Sequence, residues 1–356
     1  MNLDELHLMQ QLDSQDMLGE IEALPAQLEK AWELGQTQPL PDKAGIRQVV
    51  ISGMGGSAIG ADLLAAYIAP TCPVPVIVHR DYGLPAWAHG PQTLVIASSH
   101  SGNTEETLEA FEAALQNQCR LMAVATGGKL AERAAQVQIP LWKFEHQGQP
   151  RAAVGFSFGL LLAAFTRLGL IASPEKISTE VATTVTAMKK QQENLRADVP
   201  VARNPAKRLA GQLVGRWVNV YGSGFLAPVA RRWKGQVNEL AKAGAGFEVL
   251  PEADHNALAG LLNPADIQTR TVTLFLCAPS GHVRNGLRLD LTRQGFTAEG
   301  LNTDVYEARG ETPLAHIWTT LHFGDYMAYY LAMAYGADPT PVEALENFKA
   351  AMKAAR

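Results

Sequence analysis

The sequence predicts an α/β protein of two doubly wound domains, each a mainly parallel sheet flanked by helices. Three observations carry this expectation. The chain has 356 residues, more than one core ordinarily serves when a domain takes about 150. Short β-branched runs alternate with helical periods across glycine-rich loops, as a parallel sheet with crossover helices requires. The order strand, small-residue loop, helix occurs at residues 49–67 and returns at 218–241, which suggests two related halves.

The elements follow in order. An amphipathic leader helix is expected over 18–32, closed by a loop holding Pro39, Pro41 and Gly45. Strands are expected at 47–52, 74–78, 93–97, 120–125 and 139–144, with helices over 57–69, up to 116, and after Gly127-Gly128. The pattern then turns helical, with long helices from 155 and over 174–196. A second series has strands at 217–221, 247–250, 271–276 and 298–305, a helix over 226–242, and closing helices from about 314 and 341. This divides the chain into an amino-terminal domain with its leader (1–152), a helical interdomain segment (153–212) and a carboxyl-terminal domain (213–356).

Composition narrows the function. Hydrophobic residues make up 47% and charged residues 18%, enough apolar material for packed cores and no disorder signature. Thirty basic against 35 acidic residues leave a net charge of −5, which argues against nucleic acid or anionic membrane as partners. A small anionic ligand stays compatible, because helix amino termini bind anions whatever the global charge. Cys72, Cys119 and Cys277 are odd in number and show no C-x-x-C pattern, so neither a disulfide framework nor a zinc knuckle is expected. No metal or other cofactor is implied. The acidic, polar start lacks the pattern of a signal peptide, and a cytoplasmic protein is expected. The most apolar stretch, 154–171, carries Ser157 and Arg167 and reads as a buried helix rather than a membrane span.

Two loops carry the chemistry. Gly53-Met-Gly-Gly56-Ser57 falls where a buried strand meets a helix, so free backbone N–H groups and the helix dipole favour an anion there. The same loop fits the dinucleotide pattern G-x-G-x-x-A through Ala58, with Asp81 as a ribose-binding carboxylate, and that alternative stays open. The second loop, Ser98-Ser-His-Ser-Gly-Asn-Thr104, packs four hydroxyls around a helix start, more than capping needs; Ser101 or Asn103 would serve as the N-cap. Adjacent loops of a parallel sheet meet at its carboxyl edge. Ser57 would therefore face Ser99, Ser101 and Thr104 across a pocket suited to a phosphomonoester.

Four motifs in order, Gly53-Met-Gly-Gly-Ser57, Ser98-Ser-His-Ser-Gly-Asn-Thr-Glu-Glu-Thr107, Pro150-Arg-Ala-Ala-Val-Gly-Phe-Ser157 and Tyr221-Gly-Ser-Gly-Phe-Leu-Ala-Pro228, resemble the bifunctional phosphoglucose/phosphomannose isomerase family. The resemblance implies two sugar isomerase (SIS) domains and a serine-rich loop holding a sugar phosphate through Gly56, Ser57, Ser99, Ser101 and Thr104. It implies interconversion of glucose 6-phosphate or mannose 6-phosphate with fructose 6-phosphate through a cis-enediol. Glu239 resembles the family's base, and His255, in Pro251-Glu-Ala-Asp-His-Asn256, its ring-opening histidine. Arg151, always charged, suits an enediolate, although an arginine at a domain seam ordinarily pairs a carboxylate. Lys349 fits the family's carboxyl-terminal lysine near the ring oxygen, with Lys353 one turn later as a decoy. The family's homodimer implies that His255 acts in the neighbouring subunit's site. One departure stands out: the family commonly reads His-Asn-Glu where this chain has His255-Asn256-Ala257. It keeps open a sugar-phosphate-binding protein with weak or no turnover, and the glycine loop keeps open a nicotinamide-dependent oxidoreductase.

Overall fold

The computed structural model describes residues 2–355. Three leader helices come first: α1 (Leu6–Leu12), α2 (Met17–Glu22) and α3 (Leu24–Gly35). The single helix expected over 18–32 is interrupted at Ala23. Pro25 lies in the first turn of α3, where its missing N–H is harmless but would break a continuing helix.

The first sheet follows: β1 (Gln48–Ser52), α4 (Gly55–Ile68), β2 (Val76–His79), β3 (Thr93–Ser99), α5 (Glu105–Gln116), β4 (Arg120–Ala125), α6 (Gly128–Gln136) and β5 (Leu141–Lys143). All its strands are parallel, in the order β2-β1-β3-β4-β5. The seven residues of β3 are buried throughout, as a central strand covered on both faces must be. A one-turn helix, Pro150–Ala153, leads to α7 (Val154–Arg167), then α8 (Pro174–Gln192) and α9 (Pro205–Leu213). The second sheet comprises β6 (Trp217–Ser223), α10 (Ala227–Glu239), β7 (Ala245–Leu250), α11 (Ala265–Thr269), β8 (Thr271–Cys277), α12 (Val283–Ala298) and β9 (Asn302–Glu307). It too is parallel, ordered β7-β6-β8-β9. Helices α13 (Pro313–Tyr335) and α14 (Glu343–Ala354) complete the chain.

Helix α7 is buried from Val154 to Thr166 and packs on α3 and α4. Helix α13 is buried from Leu314 to Met333 and packs on α8, α9 and α10. Among the described residues no helix is long and apolar enough to cross a membrane. Residues 154–166 of the apolar stretch form buried helix, as expected.

Some boundaries differ from the sequence reading. The strand expected over 298–305 starts at Asn302, because Ala298 is the last residue of α12 and Gly300, at φ +75°, turns the chain after it. Helices α1, α11 and α12 were not anticipated, while α9 falls in the segment expected to be helical. The buried positions of α12 include Leu289 and Phe296, while Val283, Leu287 and Leu291 lie exposed. Apolar residues on both faces blur the one-sided stripe by which a helix is recognised.

Candidate active site

The loops after β1 and β3 lie side by side because those strands are neighbours, in register from Gln48 with Thr93 to Ser52 with Ala97. Helix α4 begins at Gly55, two residues earlier than expected, with that glycine at φ +50°. This puts Ser57 in the first helical turn, buried. Its Oγ accepts a hydrogen bond from the His100 amide at 3.2 Å. Ser99 Oγ lies 2.8 Å from Thr104 Oγ1 and accepts from the Gly102 amide at 3.1 Å. Ser57, Ser99 and Thr104 thus belong to one knitted loop at the amino ends of α4 and α5, where an anion is favoured.

Ser101 turns outward and accepts from the Asn103 amide at 3.2 Å. Neither it nor Asn103 caps α5, contrary to expectation. The N-cap is Thr104, without a side-chain capping bond, and Asn103 Oδ1 accepts instead from the Lys129 amide at the start of α6. Gly102, at φ +66°, approaches so closely that a Cβ there would stand 1.9 Å from the Gly127 carbonyl oxygen. Backbone contact with the next loop has displaced the ordinary cap.

Arg151 reaches this loop through its neighbour. A Cβ on Gly56 would lie 2.3 Å from the carbonyl oxygen of Pro150, so only glycine lets the one-turn helix rest on the start of α4. The Arg151 side chain is 5% exposed. It donates to the carbonyls of Pro339 at 2.8 Å and Thr340 at 2.5 Å, and to Gln149 Oε1 at 3.3 Å. Glu239 Oε2 lies 3.6 Å from Arg151 Nη1. Burial lowers the guanidinium's pKa, the Glu239 carboxylate opposes that, and Arg232 adds to it. Arg151 thus pairs a carboxylate, as an arginine at a seam ordinarily does, and the partner is Glu239, the residue expected from sequence as the base.

Glu239 is placed by α10, whose sequence ties it to both halves. Arg232 donates twice to Asp325 of α13, at 3.1 and 2.7 Å, with both side chains buried. Trp233 Nε1 donates to the Thr320 carbonyl at 3.0 Å and packs over Gly324, where a Cβ would meet the indole nitrogen at 2.1 Å. Arg231 bonds Asp62 of α4 at 3.1 Å, and Arg80 pairs the same carboxylate. At the end of the helix Lys242 Nζ donates to the Glu239 carbonyl at 2.6 Å. Burial lowers the Lys242 pKa, and Arg151 pushes it further. Lys242 was missed from sequence; a lysine just past a helix end, where cations meet free carbonyls, was the available signal.

His255 and Lys349 stand apart from this group. His255 is exposed in the one-turn helix Glu252–His255, past the end of β7, and among the described residues its ring has no hydrogen bond or ion pair. Its neighbours are anchored: Asp254 holds Arg288 at 2.9 Å and Thr292 at 2.7 Å, and Asn256 donates to Glu252 at 3.0 Å. Ala257 packs its half-buried methyl beside the cluster of Tyr221, Leu250 and Phe275. Lys349 lies on α14, which has no buried residue, and its side chain is likewise unpaired among the described residues. One chain brings together the hydroxyl-rich loop, Arg151 and Glu239, and leaves His255 and Lys349 facing outward. Asp81 is exposed and accepts from the Tyr82 amide at 2.8 Å, a local turn. A cavity of about 850 Å³ runs beside β9 and shares no lining residue with these groups.

A bifunctional phosphoglucose/phosphomannose isomerase from Caldicellulosiruptor bescii is 40% identical to this chain over 330 residues, 92% of this chain and 96% of the relative. The chain belongs to the bifunctional phosphoglucose/phosphomannose isomerase family. A second phosphoglucose/phosphomannose isomerase, from Aquifex aeolicus, is 32% identical over 306 residues, covering 86% of this chain and 90% of the relative. Residues 202–352 match the model of the bacterial phospho-glucose isomerase C-terminal SIS domain. A hypothetical protein of solved structure from Thermus thermophilus superposes with a TM-score of 0.74 at 15% identity, over 98% of this chain and 94% of its own. That likeness speaks for the fold, two parallel sheets of SIS type. Membership of the isomerase family disfavours the dinucleotide oxidoreductase and the inactive binding protein.

Proposed function

We propose that this protein interconverts glucose 6-phosphate and mannose 6-phosphate with fructose 6-phosphate through a cis-enediol. The observation that carries the reading is the chain of contacts from Ser57 through Gly56 and Pro150 to the Arg151–Glu239 pair. It supports a reading in which a phosphate is held beside a carboxylate and a guanidinium, the groups needed to move a proton at the sugar's other end. Gly56, Ser57, Ser99, Ser101 and Thr104 hold the phosphate.

Glu239 removes the proton from C2 of the open-chain aldose. The bond's electrons form the C1–C2 double bond, and negative charge develops on oxygen beside Arg151. Glu239 then returns the proton to C1 while the hydroxyl proton moves between the two oxygens. Because C2 becomes planar, glucose and mannose epimers converge on one enediol. Hydrogen moves within one molecule, so no redox partner is consumed. His255 and Lys349 open the sugar ring, with His255 supplied by a second copy of the chain. The outward apolar stripes support a homodimer: Leu345, Phe348 and Met352 on α14, and Val283, Leu287 and Leu291 on α12. Domains 1–152 and 213–356, with 153–212 between them, and a cytoplasmic setting complete the reading.

A coupled assay with each sugar phosphate tests it. Turnover is expected with all three; none with any of them overturns the activity, and calorimetric binding without turnover selects a sugar-phosphate binder.

A further inference from the structure

Behind the phosphate loop three titratable side chains form a line that the isomerisation does not use. Glu20 Oε2 of α2 lies 3.1 Å from His146 Nε2, and His146 Nδ1 lies 3.0 Å from His100 Nε2. The two imidazoles meet edge to face, with centroids 5.1 Å apart. Phe144 packs against His100, and Phe156 of α7 against His146. The His146 side chain is 7% exposed and Glu20 28%.

The tautomers follow from the partners. A carboxylate only accepts, so His146 donates from Nε2, and in its neutral form it leaves Nδ1 bare. His100 must then donate from Nε2, which leaves its own Nδ1 bare. That nitrogen has no partner among the described residues and is not fully buried, so it reaches solvent. His100 sits between Ser99 and Ser101, and its amide holds Ser57 Oγ. A bare lone pair on an anion-binding loop repels the anion, whereas an imidazolium attracts it and finds its countercharge in Glu20 through His146.

We propose that His100, aligned by His146 and Glu20, is a positioning residue for the substrate's phosphate, and that anion binding takes up one proton at His100 Nδ1. This rests on the sugar-phosphate reading of the loop. In the free protein, burial and His146 hold His100 down to about 4, with Glu20 opposing them. The proton therefore arrives with the anion. The groups facing His100 from neighbouring elements are Glu20 of α2, His146 beyond β5, Ser57 of α4 and Thr126 beyond β4, whose hydroxyl donates to the His100 carbonyl at 2.7 Å. Glu20 is the carboxylate among them.

Sulfate, which does not titrate between about pH 6 and 8, isolates this proton from the substrate's own. Its inhibition constant against fructose 6-phosphate turnover is expected to rise with pH in the wild type, with a limiting slope of about tenfold per pH unit for one proton. His100→Phe should flatten that profile and act on KM more than on kcat. Glu20→Gln, a change at a partly exposed side chain, keeps the imidazoles but removes the countercharge, so sulfate should weaken at lower pH than in the wild type. A pH-independent constant in the wild type, or a His100→Phe profile that matches it, overturns the proposal and leaves the isomerase standing. If no sugar phosphate turns over, the underlying reading fails; calorimetric sulfate binding at the same pH values then decides the His100 role by the same criteria.

Discussion

The Arg151 guanidinium lies 3.6 Å from the Glu239 carboxylate while bonding the carbonyls of Pro339 and Thr340. One buried cation thereby joins the segment after the first sheet, the end of α10 and the link between α13 and α14. Glu239→Gln removes the proposed base and keeps the shape. We expect kcat to fall by roughly 10²–10⁴-fold with little change in KM. Arg151→Lys keeps the charge but cannot span two carbonyls and a carboxylate at once, so it should also lose kcat. Steady-state kinetics on fructose 6-phosphate check both, and a Glu239→Gln enzyme as fast as the wild type removes Glu239 from its role.

Gly56 and Pro150 set the distance between the start of α4 and Arg151. In Gly56→Ala the new methyl would stand 2.3 Å from a backbone oxygen, which has no rotamer by which to yield. The one-turn helix must shift, and Arg151 with it. A loss of about 1–3 kcal/mol in stability is expected, with at least about a tenfold fall in kcat/KM, since a misplacement of about 1 Å costs that much or more. Urea unfolding beside kinetics separates the two, and an unaltered kcat/KM contradicts the coupling.

His322 makes the fold sensitive to acid. It is fully buried, donates from Nε2 to the Ile21 carbonyl at 2.9 Å, and leaves Nδ1 unpartnered. Burial lowers its pKa from 6.5 to about 4. The folded state thus binds this proton less readily than the unfolded chain, so stability is full above about pH 6.5 and falls as the pH drops toward about 4. The loss should reach about 2 kcal/mol by about pH 5. His100, held down for the same reason, adds in the same direction. In urea titrations at about pH 7 and 5, His322→Gln, whose amide can still bond Ile21, should show a smaller difference than the wild type.

Helix α14 exposes Leu345, Phe348 and Met352, with Phe348 64% exposed, beside Lys349. If a second copy covers this stripe, Phe348→Glu places a charge in an apolar contact. Sedimentation should then show a wild-type dimer and a monomeric variant, with ring-opening turnover lost in the monomer. A wild-type monomer that is fully active refutes the contribution of His255 from a neighbouring chain.

Much of this was legible in local sequence. The strands of both sheets, the two glycine loops and the hydroxyl-rich loop follow from β-branched runs, glycine punctuation and hydroxyl density, each a property of near neighbours. The break at Ala23 and the true start of β9 were also written there, in Pro25 and Gly300, as signals outweighed by the apolar pattern around them. Helix α12 was not legible, because its exposed Val283, Leu287 and Leu291 obscure the stripe that ends at Phe296.

The sequence by itself determined the fold class and which residue types cluster at each loop. Only the tertiary structure decided their company. Arg151 meets carbonyls 188 and 189 residues away, and Glu20 meets His146 across 126. No local periodicity encodes such pairings; they arise when sheet order, helix packing and close approach at Gly56 and Gly324 bring distant segments together. The same geometry explains why Ser57, Ser99, Thr104, Arg151 and Glu239 converge within one chain, while His255 and Lys349 face outward on elements that this chain alone does not cover.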